Sequence, residues 1–203
     1  MTVPGAFLRE NSELLRSFTA WEDRAVSNYL YEANKLAQLP GRKYAKKRNL
    51  LAQASSLYSW SSQPLTSALT NACFEVLNSI QEEENPQIEG MLARELAALE
   101  CTLSHFDEFS QRGLLISVKD RPVAFSIFEN ISPTTVAVHF ERALRSYKGL
   151  YQVINWETAN VVAAEGFEFV NREEDMGDPG LRDAKSSYHP IEIVPAYQLD
   201  FKK

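Results

Sequence analysis

The stretch "LLISVKDRPVAFSIFENISPTTVAVHFERAL", residues 114–144, constrains the fold more than any other part of the chain. Three runs rich in branched and aromatic residues are parted by turn formers, Asp120-Arg121 and then Ser132-Pro133. Short apolar runs between such breaks predict three antiparallel strands joined as a meander. Upstream of Gly113 the period is different. "FLRENSELLRSF" places Phe7, Leu8, Leu14, Leu15 and Phe18 at roughly helical spacing, with Asn11 or Ser12 as cap. "NYLYEANKLAQL" begins as an aromatic strand and turns helical. Pro40-Gly41 interrupts, and a helix is predicted from about Arg42 through "RKYAKKRNLLAQASSLY". "LTSALTNACFEVLNSIQ" is a second helix, and "PQIEGMLARELAALECTLSHF" a third. In the third, Ile88, Met91, Leu92, Leu96, Leu99, Leu103 and Phe106 form one apolar face.

Downstream of the meander, "YKGLYQVINWETANVVAAEG" predicts a helix with Leu150, Val153, Ile154, Ala159, Val161 and Val162 inward, ended by Gly166. A short buried strand "FEFVN" follows. Asp178-Pro179-Gly180 opens a brief helix, and "IEIVPAYQLDF" closes with a strand. This order predicts an α+β fold, a mostly antiparallel sheet flanked by helices.

Composition excludes several classes. The 203 residues are 44% hydrophobic with a net charge of −6, which argues against general affinity for nucleic acid or anionic lipid, though a local basic patch can still bind either. No run of about 18 apolar residues occurs, so no transmembrane segment is expected. "MTVPGAFLRENSELLRSF" lacks the charged-then-apolar order of a secretory signal. Cys73 and Cys101 are expected as buried free thiols in a reducing cytoplasm.

Three segments carry chemistry-bearing residues. "GRKYAKKRN" gathers Arg42, Lys43, Lys46, Lys47 and Arg48, and on a helix Lys43, Lys46 and Lys47 would share a face. Two readings stay open there: a solvated helix face, or a surface for an anionic partner. "NREEDMGDPGLRDAKSSYHP", residues 171–190, is densely polar. Arg172 and Arg182 can fork onto Glu173, Glu174 or Asp175, while Gly177 and Gly180 permit tight turning beside a ligand. It reads equally as a loop rigidified by its own salt bridges. In "RSYKGLYQVIN", Lys148 and the Gly149 N–H could hold an anion at a helix N-terminus. His105, His139 and His189 are scattered, and neither a metal site nor a nucleophile triad can be assembled from the spacing.

At these same stretches, together with "YLYEANKLAQLP" and "HFERALRSYKGLYQVIN", the chain resembles the bacterial phosphatidylglycerol lysyltransferase C-terminal-like family. That family is typed by a domain shared with enzymes that move lysine or alanine from aminoacyl-tRNA to membrane phosphatidylglycerol. The resemblance runs from about Asn28 to the C-terminus and implies a GNAT-like acyltransferase fold over residues 28–203. Residues 1–27 then form a helical segment standing where relatives carry an upstream half, and a second chain, as in a homodimer, could supply the missing wall of a cleft. The resemblance implies an acyl- or aminoacyl-transferase, cytoplasmic or peripheral to the membrane, with aminoacyl-tRNA or an anionic phospholipid headgroup as partner. The alternative is a non-catalytic module that binds an anionic ligand.

By the same resemblance, the terminal motif and the basic segment line one crevice. Arg182 and Lys185, with Arg172, would stabilise negative charge, and Glu173, Glu174 or Asp175 would hold an aminoacyl ammonium. Lys43, Lys46, Lys47 and Arg48 would meet tRNA or lipid phosphates, with Arg42, Tyr44 and Asn49 in the same substrate-binding set. Lys148, Gly149, Asn171, Gly180 and Tyr188 complete the substrate-binding set. The chain departs from the family pattern in two places. Asn49 is followed by Leu50 where relatives have histidine, and "RSYKGLY" keeps Arg145 and Gly149 without the glycine-rich turn that grips CoA pyrophosphate. No cofactor is therefore assigned, CoA included.

Overall fold

The computed structural model describes residues 1–84 and 89–202. The chain forms two compact units, Met1–Glu32 with Asn171–Lys203, and Ala33–Val170. The first begins with β1 (Thr2–Pro4), α1 (Gly5–Glu10), a 3-10 turn at Ser12–Arg16, β2 (Phe18–Glu22) and β3 (Asn28–Glu32). The continuous helix expected over "FLRENSELLRSF" does not form. Asn11 leaves helical geometry at φ −124°, and its side-chain amide donates to the Phe7 carbonyl at 2.9 Å, closing the C-terminal end of α1 instead of opening a new helix. Asparagine competes for backbone groups in this way. Phe18 consequently lies in a strand, edge-on to Phe201 at 5.3 Å.

The central unit contains α2 (Ala33–Gln38), a 3-10 turn at Arg42–Tyr44, α3 (Ala45–Leu57), β4 (Ser61–Pro64), α4 (Thr70–Glu84) and α5 (Gly90–Ser104). The meander follows as β5 (Arg112–Val118), β6 (Arg121–Asn130) and β7 (Thr135–Ala143). Then come α6 (Leu150–Ala164) and β8 (Phe169–Asn171). The strands lie in the order β4-β5-β6-β7-β8, with the β4–β5, β5–β6 and β6–β7 pairs antiparallel. The first hairpin turns on Lys119 and Asp120, one residue earlier than expected. Both take positive φ, 51° and 62°, the geometry of a two-residue turn whose twist matches the strands. Arg121 therefore opens β6.

Between β6 and β7 the register shifts from Ile127↔Phe140 to Phe128↔Val138, so His139 is the extra residue of a bulge. One face of the meander, with Phe125, Ile127 and Phe140, packs on Cys73, Val76, Leu99, Leu103 and Phe106. Leu92 and Leu96 are half-buried on the same helix, and Ile88 lies outside the described residues. The other face is covered by α6, which buries Leu150, Val153, Ile154, Ala159 and Val162. A polar tie crosses that interface, Ser126 Oγ to Thr158 Oγ1 at 2.7 Å. Trp156 on α6 donates from Nε1 to the Ala37 carbonyl at 2.8 Å, fastening α2 to it. Gly166, at φ 89°, ends α6 as the sequence indicates. Its N–H reaches the Ala163 carbonyl and the Phe167 N–H reaches that of Val162, the paired bonds of a Schellman cap.

The first unit resumes with α7 (Pro179–Ser186), β9 (Glu192–Val194) and β10 (Ala196–Phe201). Pro195 splits what reads in the sequence as one closing strand. β9 pairs with β3, while β10 lies between β1 and β2 over a small core of Val3, Leu8 and Leu199.

Gly149 illustrates how tightly the central unit is set. It caps α6 at φ 83°, and a Cβ there would lie 2.6 Å from the Leu50 carbonyl oxygen. Gly166 has the same backbone sign but open space around it. Gly149→Ala should therefore cost about 2–4 kcal/mol, strain plus clash, and Gly166→Ala only about 1 kcal/mol. Urea denaturation of the two variants checks the ordering.

Candidate functional site

The terminal motif winds around one carboxylate. Glu173, Met176 and Gly177 take positive φ (55°, 53° and 77°), which curls residues 172–178 into a compact loop. The Asn171 side-chain oxygen accepts the Glu173 N–H at 2.8 Å, and the Asp175 Oδ1 accepts the Gly177 N–H at 2.9 Å. Such Asx turns are what Asn and Asp supply in place of regular structure. Asp178 then caps α7, accepting the Leu181 N–H at 2.7 Å, with Pro179 in the first turn. One turn later, Arg182 faces back onto Asp175. Its Nε and Nη2 meet Oδ2 and Oδ1 at 2.8 and 3.0 Å, the bidentate fork of an arginine–carboxylate pair.

Two further groups reach the same carboxylate. Tyr29 on β3 donates its hydroxyl to Oδ2 at 2.6 Å, and Arg24 Nη1 approaches that oxygen at 3.3 Å. Arg24 Nη2 also donates to the Tyr29 hydroxyl at 2.6 Å. Asp175 is fully buried. The Arg182 hydrogen bonds, aided by those of Tyr29 and the Gly177 N–H, hold its carboxyl well below the usual carboxylate range against the opposing effect of burial. The same pairing raises Arg182 above its ordinary value. An ionised carboxylate with its lone pairs filled is a poor general base and a good anchor.

Lys185 is also buried and works on the backbone. Its Nζ donates to the Arg172 carbonyl at 2.6 Å and to the Glu174 carbonyl, while its own carbonyl accepts the Tyr31 hydroxyl at 2.8 Å. The Arg172 guanidinium lies over the rings of Tyr188 and Tyr31, at 5.1 and 5.9 Å. Tyr188 is buried, Glu173 and Glu174 are half-buried, and Gly180 sits on the exposed first turn of α7. Asn171, Arg172, Glu173, Glu174, Asp175, Arg182, Lys185 and Tyr188 are thus brought together. Arg24 and Tyr29 escaped the sequence reading. They stand 151 and 146 positions from Asp175, and nothing local marks them.

The basic segment belongs to the central unit. The expectation that Lys43, Lys46 and Lys47 share a face is corrected. Arg42–Tyr44 form a 3-10 turn, which shifts the phase of α3, so Lys43 and Lys46 are exposed while Lys47 is buried with Tyr44. Lys43 Nζ lies 5.2 Å from the Tyr44 ring centroid. Arg48 Nη1 donates to the carbonyls of Leu39 and Gly41, at 2.5 and 2.7 Å, closing the break after α2. Arg42 and Asn49 remain exposed.

The loop from β7 to α6 already holds an anion of the protein's own. Glu83 accepts from the N–H groups of Arg145 and Ser146 at 3.1 and 3.4 Å, and from the Ser146 hydroxyl at 2.5 Å. The Lys148 carbonyl accepts the Tyr58 hydroxyl at 2.6 Å, so this loop is tied down beside Gly149. Backbone N–H groups of the kind a pyrophosphate would need are occupied by Glu83.

Other titratable groups lead elsewhere. His139 Nε2 faces Glu129 at 3.2 Å, and His105 pairs with Glu108 at 2.9 Å on the surface. Both cysteines are free, but only Cys73 is buried, whereas Cys101 is exposed. Burial pushes the Cys73 thiol up to about 12, which makes it inert as a nucleophile at neutral pH. Among the described residues no group of three or more His, Cys, Asp or Glu could hold a metal ion, and no helix is long and apolar enough to cross a membrane.

The element order and sheet define a GNAT-like acyltransferase fold. L-PGS from Bacillus licheniformis aligns with 97% of the chain at a TM-score of 0.69 and 9% identity, over 65% of its own length. FemX aligns over 97% of the chain and 71% of its own length, at a TM-score of 0.62 and 7% identity. A crystal structure of a conserved protein of unknown function from Bacteroides thetaiotaomicron VPI-5482 is 32% identical, with a TM-score of 0.91 over the whole chain and 69% of its own length. The family model "Phosphatidylglycerol lysyltransferase, C-terminal" matches residues 7–199, and the chain belongs to that family. The match begins well before Asn28, where the sequence resemblance begins. No curated protein matches the chain by sequence.

Removing the Asp175 charge should loosen the loop. Asp175→Ala is expected to cost about 1.5–3 kcal/mol, the scale of lost charge-assisted hydrogen bonds, since the two arginines it leaves behind are partly exposed. The pH dependence has a definite sign. A carboxyl depressed in the folded state contributes stability that is present above its unfolded value, about 3.9, and is lost as pH falls toward the folded value. The stability gap between wild type and Asp175→Asn should therefore narrow as pH is lowered from 6 to 3 in urea titrations, whereas a constant gap contradicts this assignment.

Proposed function

We propose that the chain is an aminoacyl- or acyl-transferase that moves an aminoacyl group from aminoacyl-tRNA to a phospholipid at the membrane surface. The observation that carries this reading is membership, over residues 7–199, of the family described as phosphatidylglycerol lysyltransferase C-terminal. Transfer from an aminoacyl ester needs alignment of donor and acceptor, stabilisation of a tetrahedral oxyanion, and a route for the proton. Little covalent help from the protein is required.

In this reading Arg182, whose side chain is 41% exposed, stabilises negative charge at the reacting ester and its acceptor. Asp175 is a positioning residue that fixes the fork. Glu173 and Glu174, half-buried on the same loop, hold the ammonium of the aminoacyl group. Arg42, Lys43 and Lys46, exposed on α3 and its preceding turn, meet phosphates. Lys47 and Arg48 serve the scaffold. Occupation of the β7–α6 loop by Glu83 supports a donor other than CoA.

The direct test is to incubate the purified chain with radiolabelled lysyl- or alanyl-tRNA and phosphatidylglycerol vesicles, and then look for label in extracted lipid. Arg182→Ala should lower the rate by roughly 100-fold or more, the scale of one lost oxyanion donor, while circular dichroism shows the fold intact. Lys43→Ala with Lys46→Ala should leave the maximal rate and raise the tRNA concentration required, more so at high salt. Absence of lipid-bound label with every aminoacyl-tRNA supplied would rule the proposal out.

A further inference from the structure

Two guanidiniums of the first unit share a single carboxylate. Arg24 Nη1 and Arg182 Nε both contact Asp175 Oδ2, at 3.3 and 2.8 Å, so these nitrogens lie within about 6 Å of each other. Among the described residues Asp175 is the only carboxylate within ion-pair distance of either arginine. The nearby acids are engaged elsewhere. Asp23 accepts from the Ala25 N–H and the Gln198 amide at 3.0 and 3.2 Å, and Asp178 caps α7.

One negative charge therefore faces two positive ones, and that carboxylate is already saturated by Arg182, Arg24, Tyr29 and the Gly177 N–H. Lys185 adds a further cation close by, with Nζ 5.9 Å from the Tyr29 ring. Both arginine side chains are partly exposed, at 36% and 41%. Among the described residues, Arg24 Nε and Arg182 Nη1 have no protein acceptor. Like charges held this close repel, and the arrangement is relieved by an anion that accepts from both forks.

We propose that Arg24 and Arg182 form a seat for one phosphate group, of the kind carried by a lipid headgroup or a free phosphate monoester. The planar fork of arginine suits the tetrahedral oxyanion, and two forks anchored on one carboxylate arrive already oriented. A polynucleotide gains its affinity from many phosphates together, whereas this seat offers two cations at one point in a chain of net charge −6. The seat deepens the transferase reading by naming its acceptor side, and its assignment to a lipid rests on that reading. The pairing of the two arginines does not.

The test is isothermal titration of the full chain with inorganic phosphate, then with vesicles of phosphatidylcholine alone or in equal parts with phosphatidylglycerol. Arg24→Gln should weaken phosphate binding at least tenfold. Arg24→Lys should fall between, keeping the charge but not the fork. Arg9→Gln, which removes one exposed charge of α1, should leave binding unchanged. Asp175 retains Arg182, Tyr29 and the Gly177 N–H in these variants, and thermal unfolding confirms the fold. Binding to phosphatidylglycerol vesicles assigns the seat to a headgroup, and binding to phosphate alone assigns it to a monoester.

The seat is overturned if wild type binds neither phosphate nor phosphatidylglycerol vesicles, or if Arg24→Gln binds as tightly as wild type. Preference for an RNA oligonucleotide, with a salt slope of several phosphates, would also overturn it. Phosphate binding lost in Arg24→Gln without any aminoacyl transfer by wild type leaves the seat standing and removes the transferase. Transfer at the wild-type rate by Arg24→Gln does the reverse.

Discussion

The Asp175 carboxylate is the constraint on which the terminal motif depends. Withdrawing a charge from water costs several kcal/mol, and only well-aimed partners repay it. Here the partners come from four places: the Gly177 turn, Arg182 on α7, Tyr29 on β3 and Arg24 ahead of β3. Each would be free to wander without the others. Together they impose positive φ on Glu173 and Met176, neither of which has a glycine's freedom. The backbone bonds between Tyr29 and residues 172 and 173 then hold β3 against the loop at 3.0 and 3.2 Å.

Lys185 extends the same principle inward. A buried ammonium needs acceptors, and this one donates to the carbonyls of Arg172 and Glu174, on the residues flanking Glu173. The loop is therefore clamped from both sides, by an anion accepting on one and a cation donating on the other. Such a frame holds Glu173, Glu174, Arg24 and Arg182 in fixed positions.

Much of the central unit was legible because its signals are local. The Gly166 cap, the three strands and the apolar stripe through Leu99, Leu103 and Phe106 all follow from spacing and turn chemistry. β4 was missed because "SSQP" is polar and exposed throughout, a strand held by its β5 neighbour and not by a buried face. The basic segment misled for a different reason. A charge run reads as solvated or ligand-facing, yet Lys47 is buried and Arg48 turns onto two carbonyls. Long cationic side chains can bury their stems and serve the backbone, and sequence spacing does not record which way they turn. Of the two readings of residues 171–190, the loop rigidified by its own salt bridges is present. Arg24, Tyr29 and Glu83 could not be anticipated, since their partners lie 62 to 151 positions away.

The placement of β10 between β1 and β2 carries a consequence for how the chain matures. Ala33–Val170 is continuous, so it can complete its packing while later residues are still on the ribosome, as units of this kind do. The other unit draws on both flanks of that insert. β1 and β2 must wait, with Val3, Leu8 and Phe18 uncovered, until Ala196–Phe201 has been translated. During that interval the early strands are the part of the nascent polypeptide with most need of a chaperone.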